Sequence, residues 1–131
     1  IGSFSLGHIF YRNDRVKKIE VKKKLIVIKK NMFWSDDPFS ADYNKLILSK
    51  SDSCEKLYRK ESIYDILVVI NFNIKPIQKG RGSAIFLHVA KVGYKPTKGC
   101  IGLKKNDLID VLKKINKNEK IKITSQTYIS A

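Results

Sequence analysis

The chain has 131 residues, enough for one domain with its own hydrophobic core and too few for two domains of ordinary size. Hydrophobic residues make up 43% of it, which argues against disorder, and the formal net charge is +15. No apolar run is long enough for a membrane-spanning helix, and residues 1–7 lack the pattern of a secretory signal. These features predict a single packed domain, residues 1–131, with a strongly basic surface.

Lysine supplies most of the positive charge, and arginine is rare. A protein that reads base edges relies on the planar fork of arginine, so we expect no nucleic-acid partner. Attraction to an anionic polymer of the cell envelope is compatible with this composition. Cys54 and Cys100 lack the Cys and His spacing of a zinc site, so we expect no zinc site.

The first third of the chain predicts strands separated by loops. Residues 1–10 mix glycine and serine with apolar residues, which predicts a loop that leads into a short strand. The segment 16–30 alternates loosely, which predicts two strands that meet near residues 22–24. Residues 33–44 contain a proline and clustered Asp and Ser, and predict a loop; residues 45–48 predict a short strand.

The loop 33–44 combines aromatic residues, including Trp34, with carboxylates, including Asp37. Aromatic side chains favour burial, and carboxylates need partners. Two interpretations stay open from these residues alone. The loop is either pinned by its own aromatics and Asx turns, or it lines a substrate cleft.

The middle of the chain contains the clearest strand. Residues 51–61 are polar and predict a helical turn capped by Ser53. Residues 63–72 include an unbroken aliphatic run, which is typical of a strand covered on both faces. Residues 84–92 and 100–103 predict two further strands.

One helix is predicted near the end of the chain. Residues 105–115 place four apolar residues on one helical face, with Asn106 as the expected N-cap and Asp107 in the first turn. Ile121 and Ile123 then alternate with lysines in a closing strand. The pattern as a whole predicts a mainly β or β-rich α+β domain.

His88 and Cys100 are the residues best suited to chemistry. A thiolate is a strong nucleophile, and a neighbouring imidazole lowers the thiol pKa and carries its proton. Gly99 would let a substrate carbonyl approach and leave backbone N–H groups for an oxyanion. From spacing alone, a buried histidine beside a buried cysteine is more often ordinary core, so catalysis and core packing both stay open.

The stretch 88–103, HVAKVGYKPTKGCIGL, resembles the motif of the L,D-transpeptidase catalytic-domain (YkuD-like) family. In that motif a His is followed at some distance by Ser or Thr, any residue, Gly-Cys, and Ile or Val. The likeness extends to RGSAIFLH at 81–88, WSDDP at 34–38 and IYDILVVINFN at 63–73, and covers nearly the whole chain. It implies a β-rich sandwich or barrel-like sheet with one helix after the cysteine strand.

The resemblance also implies a reaction on bacterial peptidoglycan stem peptides, the expected partners, in the periplasm or cell envelope. Cys100 would attack a donor tetrapeptide and expel its terminal D-alanine, and an acceptor amine would resolve the thioester. His88 would serve as base and then proton donor, and the backbone N–H groups of Gly99 and Cys100 would hold the oxyanion. The chemistry requires no metal or cofactor.

Two residues depart from the family pattern: Val89 stands where glycine is common, and Gly102 where arginine is common. Arg81 is the candidate for the missing cation. Relatives usually carry additional N-terminal residues, so we expect this chain to lack that segment. The remaining substrate-binding residues that we expect are Tyr94, Thr97, Trp34 and Asp37.

Two other functions stay open. Water could resolve the same thioester, which would make the protein an L,D-carboxypeptidase or an amide hydrolase on peptidoglycan peptides. Alternatively, the departures at Val89 and Gly102 fit a basic module with a degenerate site that binds an anionic envelope polymer.

Overall fold

The computed structural model describes residues 2–90, 101–116 and 118–123. In these ranges the chain forms two β-sheets, one α-helix and one 3₁₀ turn. The strands are β1 (Gly2–Tyr11), β2 (Leu25–Val27), β3 (Phe33–Ser35), β4 (Leu46–Ile47), β5 (Cys54–Lys56), β6 (Ile66–Ile70), β7 (Phe86–Val89), β8 (Ile101–Leu103) and β9 (Lys120–Ile123). The 3₁₀ turn is Ser62–Tyr64, and helix α1 is Lys105–Lys114.

The larger sheet has the strand order β2-β1-β6-β7-β8, and β9 pairs with the first half of β1. Its central strand β6 lies antiparallel to both β1 and β7 and is buried at every residue. The prediction of a strand covered on both faces is therefore confirmed. The smaller sheet has the order β4-β3-β5.

The first strand is longer than the sequence indicated. A ten-residue β1 replaces the predicted loop and short strand, because residues 2–5 pair with β9 while the later residues pair with β6. A register shift between Leu6 and Ile9 joins the two halves. Gly7 lies within this shift, where a Cβ atom would be 2.8 Å from the Asn71 Oδ1 atom. The glycine that suggested a loop permits this close approach.

The predictions for three other segments were wrong. The first three residues of the predicted loop 33–44 form β3, which pairs with β4 and β5. Of the two strands predicted in the segment 16–30, only β2 forms. Val16 and Ile19 are buried in the core, but they belong to irregular backbone and not to a strand. The predicted helical turn at 51–61 is instead β5 followed by a bend. Three residues of β5 pair with β3, and this pairing satisfies backbone groups that a helical turn would have bonded locally.

The two faces of the larger sheet carry separate hydrophobic clusters. We name them the helix-side cluster and the histidine-side cluster. The buried residues of the helix-side cluster are Leu6, Ile9, Tyr11, Val16, Ile19, Ile66, Val68, Ile70, Leu87, Val89, Leu108 and Leu112. Those of the histidine-side cluster are Phe10, Ile28, Met32, Trp34, Leu57, Tyr64, Leu67, Val69 and Phe86.

Helix α1 covers the helix-side cluster with a narrower apolar face than predicted. Leu108 and Leu112 are fully buried, whereas Val111 is 40% exposed. The predicted cap at Asn106 was wrong: the N-cap residue is Lys104, and no side chain caps the first turn. Within the described residues, no helix is long and apolar enough to cross a membrane.

Candidate active site

His88 lies in the middle of β7, between β6 and β8. Its register partners are Leu67 on β6 and Gly102 on β8. Side chains alternate along a strand, so Leu87 and Val89 enter the helix-side cluster while His88 points to the opposite face. There its ring meets the ring of Tyr64 edge-on, with centroids 5.7 Å apart at 78°. The histidine is only 2% exposed, so its orientation is fixed by packing.

A backbone hydrogen bond determines which ring nitrogen of His88 carries the proton. The Nδ1 atom of His88 lies 2.7 Å from the carbonyl oxygen of Val89. A carbonyl oxygen only accepts, so Nδ1 carries the proton in this bond. In the neutral ring, Nε2 is then the basic nitrogen. This is the arrangement that a general base requires.

A polar chain supports the aromatic partner of His88. The Tyr64 hydroxyl donates to Glu55 Oε1 at 3.0 Å, and Arg59 Nη2 donates to the same oxygen at 2.7 Å. The Arg59 guanidinium also lies 5.0 Å from the centre of the Tyr64 ring. Sequence reasoning missed Tyr64 and Glu55. Their spacing of nine residues matches no catalytic motif, and only the bend between β5 and β6 brings them together.

Strand β8 runs parallel to β7 and is its neighbour in the larger sheet. Ile101 pairs with Leu87, and Gly102 pairs with His88. Cys100 is the residue before Ile101 and lies outside the described residues. The other predicted site residues outside the described ranges are Gly99, Tyr94 and Thr97.

The two departures from the family pattern have structural explanations. Val89 is 6% exposed in the helix-side cluster, so its side chain points away from the Tyr64 side of His88. At Gly102, a Cβ atom would lie 3.0 Å from the Ala90 Cα atom and 3.3 Å from its Cβ atom. A residue with a side chain at this position would push β7 and β8 apart. The close pairing of these strands therefore favours glycine.

Trp34 lies on the same side of the sheet as His88, within the core. It is 6% exposed, and its indole Nε1 donates to Asn44 Oδ1 at 2.9 Å. Its ring meets Phe86 edge-on at 5.4 Å, and Phe86 in turn meets Tyr64 at 5.8 Å. An aromatic row thus connects Trp34 to His88. Its predicted contact with substrate stays a prediction.

Asp37 and Arg81 lie in loops and are more exposed. Asp37 Oδ1 accepts a hydrogen bond from the Phe39 N–H at 2.9 Å, which forms an Asx turn. Arg81 is exposed, and its backbone N–H donates to Gln78. The Tyr43 hydroxyl accepts a hydrogen bond from the Gly82 N–H at 3.0 Å, which connects the loop 33–44 to the segment before β7. These contacts show a pinned loop, and they leave its role toward substrate a prediction.

A wide groove of about 920 Å³ lies elsewhere, at the edge of the helix-side cluster. Its lining includes Tyr11, Ile19 and Lys113, and does not include His88. The surroundings of His88 are the candidate active site, because none of the described residues that line the groove is a cysteine, serine, threonine or histidine. In the described ranges, no group of His, Cys, Asp and Glu is arranged to hold a metal ion.

Comparison with known proteins addresses the identity of the domain. The sequence matches the family described as the L,D-transpeptidase catalytic domain, YkuD, over residues 1–123. Searches of curated proteins and of solved structures returned no match. The mainly β fold with one helix is consistent with that family. A match over nearly the whole length places this chain in the L,D-transpeptidase catalytic-domain (YkuD) family.

Proposed function

We propose that this domain is a peptidoglycan L,D-transpeptidase that crosslinks stem peptides in the bacterial cell envelope through a thioester on Cys100. One observation carries the proposal. A buried histidine, with Nδ1 bonded to the Val89 carbonyl, lies on the strand that pairs with the residues directly following Cys100.

The strand register supports a short distance between the two proposed catalytic residues. Ile101, the residue after Cys100, pairs with Leu87, the residue before His88. Consecutive Cα atoms are about 3.8 Å apart and paired strands about 4.8 Å apart, so we expect the Cα atoms of Cys100 and His88 to lie within about 10 Å of each other. Residues two apart in an extended chain share a face, so we expect Cys100 to lie on the same side of the sheet as Gly102, the register partner of His88.

The proposed reaction follows from these roles. Nε2 of His88 takes the thiol proton as Cys100 Sγ attacks the donor carbonyl, and the N–H groups of Gly99 and Cys100 hold the oxyanion. The imidazolium then protonates the leaving amine of the terminal D-alanine as the C–N bond breaks. An acceptor amine attacks the thioester and gives its proton to His88, and the thiol is restored. No metal or organic cofactor takes part.

Substrate binding is proposed for residues around this centre. Trp34 shares the aromatic row that ends at His88, and the segment before β7 contacts the loop that contains Asp37. Arg81 is the proposed cation for a stem-peptide carboxylate. Tyr94 and Thr97 complete the proposed lining.

The test is turnover of a disaccharide tetrapeptide donor with an acceptor stem, followed by mass spectrometry of products and protein. We expect a crosslinked product, release of D-alanine and an acyl adduct on Cys100. A carbapenem should form an adduct at the same residue. Cys100→Ala should abolish product and both adducts, and His88→Ala should lower the rate by about 10²–10⁴-fold. Cys54→Ala is the matched thiol control and should react like the wild type.

Two outcomes would contradict the proposal. If the Cys100→Ala variant still formed the adducts, Cys100 would be excluded as the nucleophile. Release of D-alanine at the same rate with and without acceptor, with no crosslinked product, would indicate that water resolves the thioester and that the enzyme is a hydrolase.

A further inference from the structure

A small cationic cavity lies on the surface between three segments of the chain. Its volume is about 280 Å³. The segments are the turn after β1, the residues after β2, and the end of β5 with the residues that follow it. Among the described residues, seven line the cavity, of which six are cations and none is a carboxylate. They are Arg12, Arg15, Lys30, Lys56, Tyr58, Arg59 and Lys60.

Carboxylates balance the three arginines of this cavity. Arg12 pairs with Asp14 at 2.7 Å, Arg59 with Glu55 at 2.7 Å, and Arg15 with Asp65 at 3.0 Å. Asp65 is shared, because Lys105 also lies 3.0 Å from it. The arginines therefore contribute little excess charge to the cavity.

The three lysines differ from the arginines in this respect. No carboxylate of the described residues lies within 4.0 Å of the ammonium groups of Lys30, Lys56 or Lys60. Three unbalanced positive charges therefore surround one concave site. A cleft lined by a single sign of charge concentrates its field and attracts counter-ions more strongly than the same charges on a convex surface.

A rigid base holds these charges in place. Arg12 is only 4% exposed, and its guanidinium stacks on the Tyr58 ring with 3.7 Å from Cζ to the ring centre. It also donates to the Arg59 carbonyl at 2.7 Å. Its hydrogen bond to Asp14 raises the pKa of Arg12 and lowers that of Asp14, so both stay charged across the neutral range. The base of the cavity is thus fixed before any ligand arrives.

We propose that this cavity is a binding site for a phosphate group. A single carboxylate would leave most of the excess charge unbalanced, whereas a phosphate monoester or a diphosphate carries about two or more negative charges and several acceptor oxygens. The lysines supply mobile ammonium donors around the fixed guanidinium and Tyr58. The site does not depend on the chemistry proposed for Cys100.

The experiment is titration of the wild-type domain with inorganic pyrophosphate at 0.15 M salt, followed by calorimetry and by amide chemical shifts. We expect saturable binding with shifts concentrated at residues 56–60. The triple variant Lys30→Gln, Lys56→Gln and Lys60→Gln should bind at least tenfold more weakly. The matched control Lys45→Gln, Lys50→Gln and Lys79→Gln removes three exposed lysines outside this cavity and should change the dissociation constant less than twofold.

Three outcomes would overturn the site. The first is an equal loss of pyrophosphate affinity in both triple variants. The second is unchanged affinity in the triple variant of Lys30, Lys56 and Lys60, which we call the cavity variant. The third is the absence of saturable pyrophosphate binding by the wild type. A second arm distinguishes the source of the phosphate by sedimentation with vesicles that contain phosphatidic acid, a phosphate monoester, and with vesicles of phosphatidylcholine alone. Retention on the anionic vesicles alone, lost only in the cavity variant, assigns the site to a lipid headgroup; pyrophosphate binding without retention assigns it to a soluble phosphate compound.

Discussion

The two faces of the larger sheet differ in what they bury. On the helix side, α1 and the segment around Ile19 cover a cluster of aliphatic residues and one tyrosine. On the histidine side, the core also contains the polar side chains of His88, Ser35 and Asn44, each no more than 3% exposed. The histidine side therefore combines a hydrophobic core with several hydrogen-bonding groups, whereas the buried polar group that pairs with α1 is Asp65, 3.0 Å from Lys105.

The polar groups of the histidine side are all satisfied. Across the described ranges, no buried side-chain nitrogen or oxygen lacks a hydrogen-bond partner. Asn44 shows how this is achieved, because its amide donates to the carbonyls of Phe72 and Asn73 while its oxygen accepts from Trp34. An unsatisfied polar group would cost about 1–3 kcal/mol. The comparison indicates that the helix side stabilises the fold and that the histidine side orients the site.

The largest expected effect tests the helix side. Leu112→Ala should lower the free energy of unfolding by about 2–5 kcal/mol, because the leucine is fully buried beneath the sheet. Val111→Ala, on the same helix at 40% exposure, is the matched control and should change it by about 0.5 kcal/mol. Urea denaturation measures both. Turnover per folded molecule should stay unchanged, and a loss of turnover in folded Leu112→Ala would show that the two faces are not separate.

The second prediction tests the junction between β7 and β8. Gly102→Ala should lower the free energy of unfolding by about 1–3 kcal/mol, because the added Cβ atom would lie 3.0 Å from the Ala90 Cα atom. It should also reduce turnover, since Gly102 is the register partner of His88. Ala90→Gly in the same chain removes the 3.3 Å contact but not the 3.0 Å one, so it should restore stability only partly. Wild-type stability and turnover in Gly102→Ala would contradict the close packing of these strands.

Much of the fold could be predicted from hydrophobic pattern. The aliphatic run that forms β6 and the periodic residues of α1 carry strong local information, and both elements were found where expected. The failures at residues 2–11 and 51–61 share a cause. These strands exist because distant partners, β9 and β3, pair with them, and a glycine-containing or polar segment does not reveal such partners.

The site was only partly predictable for the same reason. His88 could be singled out because a motif gives it a role, and its placement on the strand beside β8 agrees with that role. Tyr64 and Glu55 could not be singled out, because they reach His88 through packing between separate segments. Their importance depends on ring geometry and one shared carboxylate oxygen, neither of which leaves a sequence pattern.

The smallest expected effect concerns Tyr64 and separates its hydrogen bond to Glu55 from its ring contact with His88. Tyr64→Phe keeps the ring against His88 and loses the hydrogen bond to Glu55, which retains Arg59 as a partner. It should lower the free energy of unfolding by about 0.5–1.5 kcal/mol and leave kcat nearly unchanged. Tyr64→Leu removes the ring that contacts His88, so kcat should fall while KM stays constant.

The ¹⁵N shifts of the His88 ring provide the deciding measurement for Tyr64. They should report a protonated Nδ1 in the wild type and in Tyr64→Phe, because the bond to the Val89 carbonyl survives that change. In Tyr64→Leu the imidazole loses the ring packed against it, so we expect a mixture of tautomers. An unchanged ring spectrum together with unchanged kcat in Tyr64→Leu would mean that the Val89 carbonyl alone orients the base, and that the histidine side needs no aromatic support.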